Sequence, residues 1–306
     1  SSEISNGAEM NSRNPLVTIG IPTFNRASLL ERSIKSALRQ NYSPLEIVIS
    51  DNASADGTRE ICTEYAELDS RIRYISFPVN VGATANFLKV LEEASGEYFM
   101  WLGDDDWVDD SYVSQCMKHM LNDTNMSLVC GYPRYYRSGL ADHDGKVFQL
   151  LQNYWMLRVA SYYARVTDNG MFYGLMRTAE LREVSMPNVM GGDWHLIANI
   201  VSNGRAIMCP TVSVHRELGG ATASYKKIVQ SLGLPWVQAI FPMGAIAVGA
   251  VKSILYSGEA YSKRSMLGRI AVAIIVFLII VLKGIRGRWG QTREIFRHYM
   301  SSAVRR

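Results

Sequence analysis

Four short apolar runs punctuate the first hundred positions: LVTIGI (16–21), LEIVIS (45–50), RIRYIS (71–76) and EYFMWL (97–102). Each is rich in β-branched or aromatic residues and bounded by polar or Pro-containing stretches, the texture of buried strands. Between them the apolar period lengthens to that of a helix. ASLLERSIKSALRQ sets Leu30, Ile34, Ala37 and Leu38 on one face, DGTREICTEYAEL begins at a cap-like Ser54 or Asp56, and ATANFLKVLEEA runs to a stop signal at Ser95-Gly96. Strand starts fall 29, 26 and 26 residues apart. This is the spacing of βαβ units and predicts an α/β fold with a mostly parallel sheet covered by helices on both faces. Ligands of such sheets sit beyond the carboxyl ends of the strands. There the chain places PTFNR (22–26), DNASADGT (51–58) and GDDDW (103–107), three polar loops predicted to open on one edge.

From Ser111 to about Ser224 the pattern is less regular and rich in aromatics, among them Trp155, Tyr162, Tyr163, Phe172 and Tyr173. Core packing is their first reading and stacking on a sugar the second. The end of the chain changes character. Gln230 to Val251 carries no charge over 22 residues, and Ile270 to Leu282 is 13 apolar residues between Arg269 and Lys283. Thirteen residues fall short of the roughly 20 that span a bilayer. A span extended by snorkelling of Arg269 and Lys283, helices lying in one leaflet, and a soluble helical subdomain are all open readings. The final KGIRGRWGQTREIFRHYMSSAVRR reads as a cationic surface helix anchored by Trp289, Ile295, Phe296 and Tyr299.

Charge sharpens that picture. The net charge is +4, yet residues 262–306 hold ten Lys or Arg against one acid, so +9 sits there and −5 on residues 1–261. Such asymmetry points to an anionic membrane surface, and the adjoining aliphatic run makes lipid the expected partner rather than nucleic acid. The four cysteines, Cys62, Cys116, Cys130 and Cys209, lack metal or disulfide spacing and read as reduced core thiols. Residues 1–14 show neither a basic nor an apolar leader region and read as a disordered lead-in.

The acidic loop is the sharpest chemical signal: Asp104, Asp105, Asp106, Asp109 and Asp110 fall within seven positions after a buried strand. Carboxylates this close repel unless a cation intervenes or one is protonated. Oxygen-only ligands favour a hard ion, Mg²⁺ or Mn²⁺, with substrate phosphates completing the sphere. Asp109 and Asp110 read instead as caps of the helix SYVSQCMKHML.

Taken in order and spacing, VTIGIPTFNR, IVISDNASADGT, NVGATANF and GEYFMWLGDDDW resemble glycosyltransferase family 2, the inverting enzymes of GT-A fold, and most of all the single-sugar transferases of bacterial surface-polysaccharide and O-antigen assembly. The resemblance covers about residues 15–225. It implies that Pro22, Thr23, Asn25 and Arg26 lie near the nucleoside and ribose, that Asp51 reads the base, and that Asn80 and Gly82 belong to the third donor loop. Its DXD signature falls on Asp104, Asp105 and Asp106, with Asp106 the first choice for the metal and Asp104 the next. Its catalytic base falls on Asp193, in MGGDWHLIANI, where a plain helix cap is the alternative. Its closing segment falls on VHRELGG (214–220), implying Arg216 at the diphosphate and His215 at the metal or diphosphate, or as a structural hydrogen-bonder.

The expected architecture is therefore a lead-in (1–14), a GT-A domain (15–225, with a nucleotide half 15–110 and an acceptor half 111–225) and membrane-associating helices (226–306). The expected function is metal-dependent, inverting transfer of one sugar from a nucleotide-sugar donor to a hydroxyl of a polyprenyl-diphosphate-linked saccharide, at the cytoplasmic face of a bacterial inner membrane. A processive synthase and a non-catalytic nucleotide- or glycan-binding scaffold are the alternatives. Sugar, base and oligomeric state are not legible.

Overall fold

A computed structural model of the chain describes residues 14–219, 224–256 and 259–303, with side chains of 259 and 287–303 outside the described set. The lead-in, Gly220 and the expected anchors Trp289, Ile295, Phe296 and Tyr299 thus lie outside the described residues or side chains.

The first half alternates strand and helix as the periodicity predicts: β1 (Val17–Thr23), α1 (Ala27–Leu38), β2 (Leu45–Asp51), α2 (Thr58–Leu68), β3 (Ile72–Ser76), α3 (Ala83–Glu92) and β4 (Tyr98–Trp101). All seven residues of β1 are buried. A strand covered on both faces has no solvent side to carry polar alternation, so its sequence reads as one apolar run. In α1, Leu30, Ile34 and Ala37 are buried at helical spacing. The cap expected at Ser54 or Asp56 falls at Gly57, because Asp56 turns its carboxylate to Thr58 N (3.0 Å) and to Ala27 N at the start of α1 (3.1 Å).

The second half adds β5 (Trp107–Val108), α4 (Tyr112–Asn122), β6 (Met126–Arg137), β7 (Leu140–Asp144), α5 (Trp155–Arg165), β8 (Leu175–Arg177), α6 (Thr178–Arg182), α7 (Gly192–Asn203) and β9 (Arg205–Glu217). One nine-stranded sheet results, ordered β3-β2-β1-β4-β8-β6-β9-β5 with β7 on β6. Strands β3, β2, β1 and β4 are parallel, β8 runs antiparallel to both its neighbours, and β6 and β9 are parallel again. The parallel expectation thus holds for the first four strands and gives way to a mixed sheet beyond β4. Antiparallel neighbours need no crossover helix, so the even spacing that announced the first half is absent from the second. Strand order reverses direction beside β1, which opens a crevice between the ends of β1 and β4.

Asp109 and Asp110 do not cap α4. No side chain caps that helix; Asp109 turns to Ser213 N (2.7 Å) and Asp110 to Arg39 Nε (3.0 Å).

The chain closes with α8 (Tyr225–Ser231), α9 (Val237–Ile240), α10 (Pro242–Tyr256), α11 (Glu259–Ser262) and α12 (Met266–Ala303). The two sheet faces carry separate cores. One holds α1 and α4; the other runs without a break from Val90 and Phe99 through α5 and α7 into Ile246, Ala250 and Ile254 of α10 and Val276 and Ile280 of α12. Residues 242–256 and 259–286 are therefore a layer of the same body. Gly249 makes the α10–α7 approach close enough: a Cβ there would stand 2.4 Å from Nε2 of the buried His195, whose Nδ1 pairs with Tyr163 Oη (2.8 Å).

Helix α12 has two faces. Val272, Ala273, Val276 and Ile280 are buried, whereas Leu267, Ile270, Ile274, Ile275, Phe277, Leu278, Leu282 and Ile285 are exposed. Arg269 and Lys283, which one of the open readings has snorkelling outward, both turn inward: Arg269 Nε donates to Ile254 O (2.9 Å), and Lys283 Nζ donates to Tyr163 O (2.9 Å) and to Val166 O. Burial of carbonyls at helix ends rewards a cationic partner. The 21 residues Met266–Arg286 are long enough to cross a membrane and contain an 18-residue window with a mean hydropathy of 2.6. Their inward face is already committed to α5 and α10.

Candidate active site

The loops after β1 and β2 are tied into one platform. Asn25 and Ala53 both take the left-handed conformation (φ 52° and 61°). Asn25 N donates to Ser54 Oγ (2.8 Å), Ala55 N to Asn25 Oδ1 (2.8 Å) and Ser54 N to Asp51 Oδ1 (2.9 Å). Asp51 is fully buried, its second oxygen accepting from Tyr74 Oη (3.1 Å). Two expectations are corrected here. Asn25 and Asp51 do not line the cavity above: Asn25 Oδ1 and Asp51 Oδ1 tie the two loops together, and Asp51 Oδ2 is held by Tyr74 of β3.

That cavity, about 1000 Å³, is lined by Pro22, Thr23, Arg26, Asn80, Gly82, all three aspartates of 104–106 and Arg216, so it brings together nine of the expected residues. Asn80 Oδ1 accepts from Asn52 Nδ2 (2.9 Å) and Gly82 N (2.8 Å). Gly82, which also starts α3, has φ 89° and ψ 161°, a region in which only glycine rests without strain.

The acidic loop is held by what surrounds it. Asp104 accepts from Phe24 N (3.3 Å), and Arg26 stands 3.7 Å from both Asp104 and Asp105. Asp106 is the deepest of the three: Oδ1 accepts from Glu217 N (2.9 Å), Oδ2 from Tyr173 Oη (2.5 Å), and Arg216 Nε lies 3.9 Å away. Burial, and next the neighbouring Asp105, push Asp104 up to about 7 and Asp106 up to about 6. Even with Arg26 and Arg216 beside it, this cluster holds more negative charge than it neutralises.

Arg216 joins this cavity to a second one. Its Nη1 donates to Tyr135 Oη (2.9 Å) and Asp168 O (2.8 Å), its guanidinium lies over the Tyr173 ring at 4.8 Å, and buried Nε has no hydrogen-bond partner among the described residues. Burial opposes its charge, and Tyr173, Tyr135, Asp106 and Asp168 more than restore it. The second cavity, about 740 Å³, shares Tyr173, Arg216, Phe87 and Met186 with the first and contains Asp193. Asp193 stands in the first turn of α7 without capping it; Oδ2 accepts from Asn169 Nδ2 (2.7 Å), and burial raises its pKa against the hydrogen bond from Asn169. The far wall of this cavity is apolar, with Ile228, Met243 and Ile246 of the C-terminal helices.

His215 is the third correction. Its Nε2 bonds Asp109 Oδ1 (2.7 Å), its Nδ1 bonds Tyr136 Oη (3.0 Å), and its ring stacks on Trp107 at 5.1 Å. With both nitrogens engaged it is the structural hydrogen-bonder of the two readings. No group of three or more His, Cys, Asp or Glu among the described residues could form a cage for an ion. One or two carboxylates with substrate oxygens are what a hard ion requires instead, and the crowded, under-neutralised acids fit that lighter demand. The order of preference within them changes: Asp106, first by sequence, has both oxygens on protein donors and a guanidinium beside it, while Asp104 and Asp105 face the cavity with only Arg26 and a long backbone contact.

Residues 18–183 match the family described as Glycosyl transferase family 2. The chain belongs to that family. Among relatives of this glycosyl transferase family 2 chain, glycosyltransferase GlyA of Streptococcus pneumoniae is 29% identical over 176 residues, covering 57% of this chain and 24% of the relative. GalNAc(5)-diNAcBac-PP-undecaprenol beta-1,3-glucosyltransferase of Campylobacter jejuni is 31% identical over 134 residues, 44% of this chain and 41% of the relative. The chain thus aligns with less than half the length of either. Among solved structures, residues 1–349 of S. aureus TarS superpose with a TM-score of 0.60 at 15% identity, covering 85% of this chain and 70% of that one. A mannosyltransferase of Pyrobaculum calidifontis, solved with GDP-Man and Mn²⁺, superposes with a TM-score of 0.54 at 18% identity, covering 90% and 88%. At these identities the likeness shows the fold, which is the expected GT-A architecture.

Three participants escaped the sequence reading in these roles. Tyr173 was placed among aromatics for core or stacking, yet its hydroxyl holds Asp106. Asn169 holds Asp193, and its only trace in the sequence is the turn signal Asn169-Gly170, consistent with its left-handed φ of 51°. Glu217 joins the loop through Asp106 and Arg32 (3.3 Å), a closure between residues 32, 106 and 217 that local pattern does not reveal.

Proposed function

We propose that this protein transfers one sugar, with inversion, from a nucleotide-sugar donor in the first cavity to an acceptor hydroxyl presented in the second. The observation that carries this reading is the junction: two cavities meet at Tyr173 and Arg216, one ending in an under-neutralised acidic cluster and the other in a buried carboxylate of raised pKa. An inverting displacement needs those two chemistries on opposite sides of the reacting carbon. Asp193 takes the acceptor proton, and a raised pKa brings a carboxyl towards useful basicity near neutral pH. Arg216 supplies charge to the departing diphosphate from the wall that the two cavities share. Pro22, Thr23, Arg26, Asn80 and Gly82 hold the nucleoside end. Asp104 and Asp105, with Asp106 behind them, would hold Mn²⁺ or Mg²⁺, whose contribution is to neutralise charge on the leaving diphosphate.

The acceptor we propose is a saccharide on a polyprenyl diphosphate, consistent with the undecaprenol-linked substrate in the name of the Campylobacter relative and with the apolar far wall of the second cavity. The enzyme would work at the cytoplasmic face of a bacterial inner membrane, lying on it rather than crossing it. The outward face of α12 is apolar from Leu267 to Ile285, and its two flanking cations are spent on the protein.

Purified protein screened with Mn²⁺ or Mg²⁺ against UDP-, GDP-, CDP- and dTDP-sugars tests the donor side. One donor is expected to raise Tm and be slowly hydrolysed, both effects disappearing with EDTA; hydrolysis indifferent to EDTA would remove the metal from the reading. Flotation with anionic liposomes tests the surface, with Ile274→Glu/Leu278→Glu expected to stay in the soluble fraction.

A further inference from the structure

The loop between α5 and the turn at Gly170–Tyr173 is held from three directions. Lys283 of α12 donates to Tyr163 O and Val166 O at the carboxyl end of α5, where helix carbonyls lack intrahelical donors. Arg216 of β9 donates to Asp168 O (2.8 Å). Tyr162 Oη donates to Asn169 Oδ1 (2.8 Å), which leaves the Asn169 amide to donate to Asp193 Oδ2 (2.7 Å). The same Lys283 ammonium lies 5.3 Å from the ring centre of Trp194, the residue after Asp193. Asn169 thus touches the proposed base directly, and Lys283 is linked to it through the loop that aims Asn169 and through the ring of the neighbouring Trp194.

We propose that Asn169 and Lys283 are positioning residues for Asp193, so that α12 fixes the geometry of the proton-accepting carboxyl from outside the region matching the family. This rests on the reading of Asp193 as the base. The route is short and continuous: α12 ammonium, Val166 carbonyl, loop 166–169, Asn169 amide, carboxylate. Each link is a hydrogen bond or a covalent step, and Asn169 is committed to its left-handed backbone conformation, which orients its amide. A carboxylate held by an amide donor accepts a proton from a fixed direction; without the donor its rotamer is set only by the cavity. Asn is one of the few non-glycine residues that rests at such a φ, and Asp is another.

The test is Asn169→Asp, which keeps the backbone preference and an acceptor for Tyr162 but replaces the amide donor by a carboxylate, together with Lys283→Met and Lys283→Arg. Hydrolysis of the donor selected by the sugar panel, with water standing in for the acceptor, gives kcat and KM across pH. The titratable groups around Asp193 in this profile are Arg216 on β9, Tyr135 on β6, His143 on β7, Tyr162 and Tyr163 on α5, Asp168 and Tyr173 on the 166–173 segment and Tyr225 on α8, with Lys283 of α12 against the neighbouring Trp194; α10 contributes Met243 and Ile246. Asn169→Asp is expected to lower kcat by about tenfold, part of the roughly 10²- to 10⁴-fold that a general base contributes, with donor KM unchanged and the acidic limb moved to higher pH. Lys283→Met is expected to lower kcat by a smaller factor in the same way, and Lys283→Arg to recover it. Wild-type kcat and pH limb in Asn169→Asp and Lys283→Met, beside an inactive Asp193→Asn, would overturn the proposal alone. A Lys283→Met enzyme that lost only Tm would make the lysine a plain helix tie and likewise overturn its part. An Asp193→Asn enzyme that still turned over would overturn the base reading and the proposal together.

Discussion

The two cavities that meet at Arg216 are made of different materials. The first cavity, the proposed donor side, is built chiefly from loop backbone and charged or amide side chains at the ends of the parallel strands, between residues 22 and 106, with Tyr173, Arg216 and Glu217 closing it. The second cavity, the proposed acceptor side, is assembled from α7, the 167–173 segment, residues 186–191 and two C-terminal helices, α8 and α10, with Asp193, Asp168 and Arg216 as its polar pole and methionines and isoleucines opposite. A nucleoside diphosphate carries the same polar groups whatever sugar it bears, so a fixed set of loops can serve it. An acceptor joined to a lipid carries both polar and apolar parts, and the second cavity offers both. The family match stops at residue 183, so Asp193, Arg216 and the apolar wall of the second cavity all lie beyond it.

Several substitutions would break or sharpen this contrast. The largest effect is expected for Asp193→Asn, a loss of about 10²- to 10⁴-fold in transfer with the donor-induced rise in Tm retained; loss of donor binding as well would mean that the two sides are not separable. Next comes Ile280→Ala, on the packed face of α12, expected to cost about 2–5 kcal/mol in thermal or denaturant unfolding as a cavity opens in the shared core. Gly82→Ala is expected to cost about 1–3 kcal/mol from its backbone conformation alone, since nothing stands within 4 Å of the added Cβ, and to raise donor KM without touching the acceptor side.

A smaller effect concerns pH. Asp104 and Asp106 titrate near 7 and 6 in the folded chain against about 3.9 when unfolded, so the folded state binds more protons between those values. Without a divalent ion, stability is expected to be greatest below about pH 4 as far as these two groups are concerned and to fall as pH rises towards 7. Scans of Tm at pH 5 and 7.5 with and without Mn²⁺ check this, the ion stabilising more at the higher pH. The smallest effect on stability is expected for Ile274→Ser on the bare face of α12, within about 0.5 kcal/mol, yet with weaker liposome binding.

Strands β1 to β4 and helices α1 to α3 were legible because each is specified by its own neighbours: apolar runs of the right length, helical faces, polar breaks. The donor loops were legible for the same reason, being fixed by the strands they follow. What sequence pattern missed were contacts closed over long separations. Nothing local says that Glu217 N meets Asp106, that Tyr173 reaches the same carboxylate, or that His215 spends both nitrogens on Asp109 and Tyr136. Asp51 has the residue type of a base-reading group, and nothing local says that it is fully buried with Ser54 N and Tyr74 Oη on its two oxygens. The hydrophobic run at 270–282 was visible as composition. Which of its flanks faced the protein was not, since Arg269 and Lys283 look alike whether they reach for headgroups or for helix carbonyls.

That inward turn bears on how the protein is handled. A hydrophobic tail is the usual first deletion when an enzyme is to be made soluble, and here a chain cut after Ser224 would strip Ile246, Ala250, Ile254, Tyr261, Val276 and Ile280 from the core and expose the α5 carbonyls that Lys283 covers. Detergent or outward-facing polar replacements preserve what the deletion would remove.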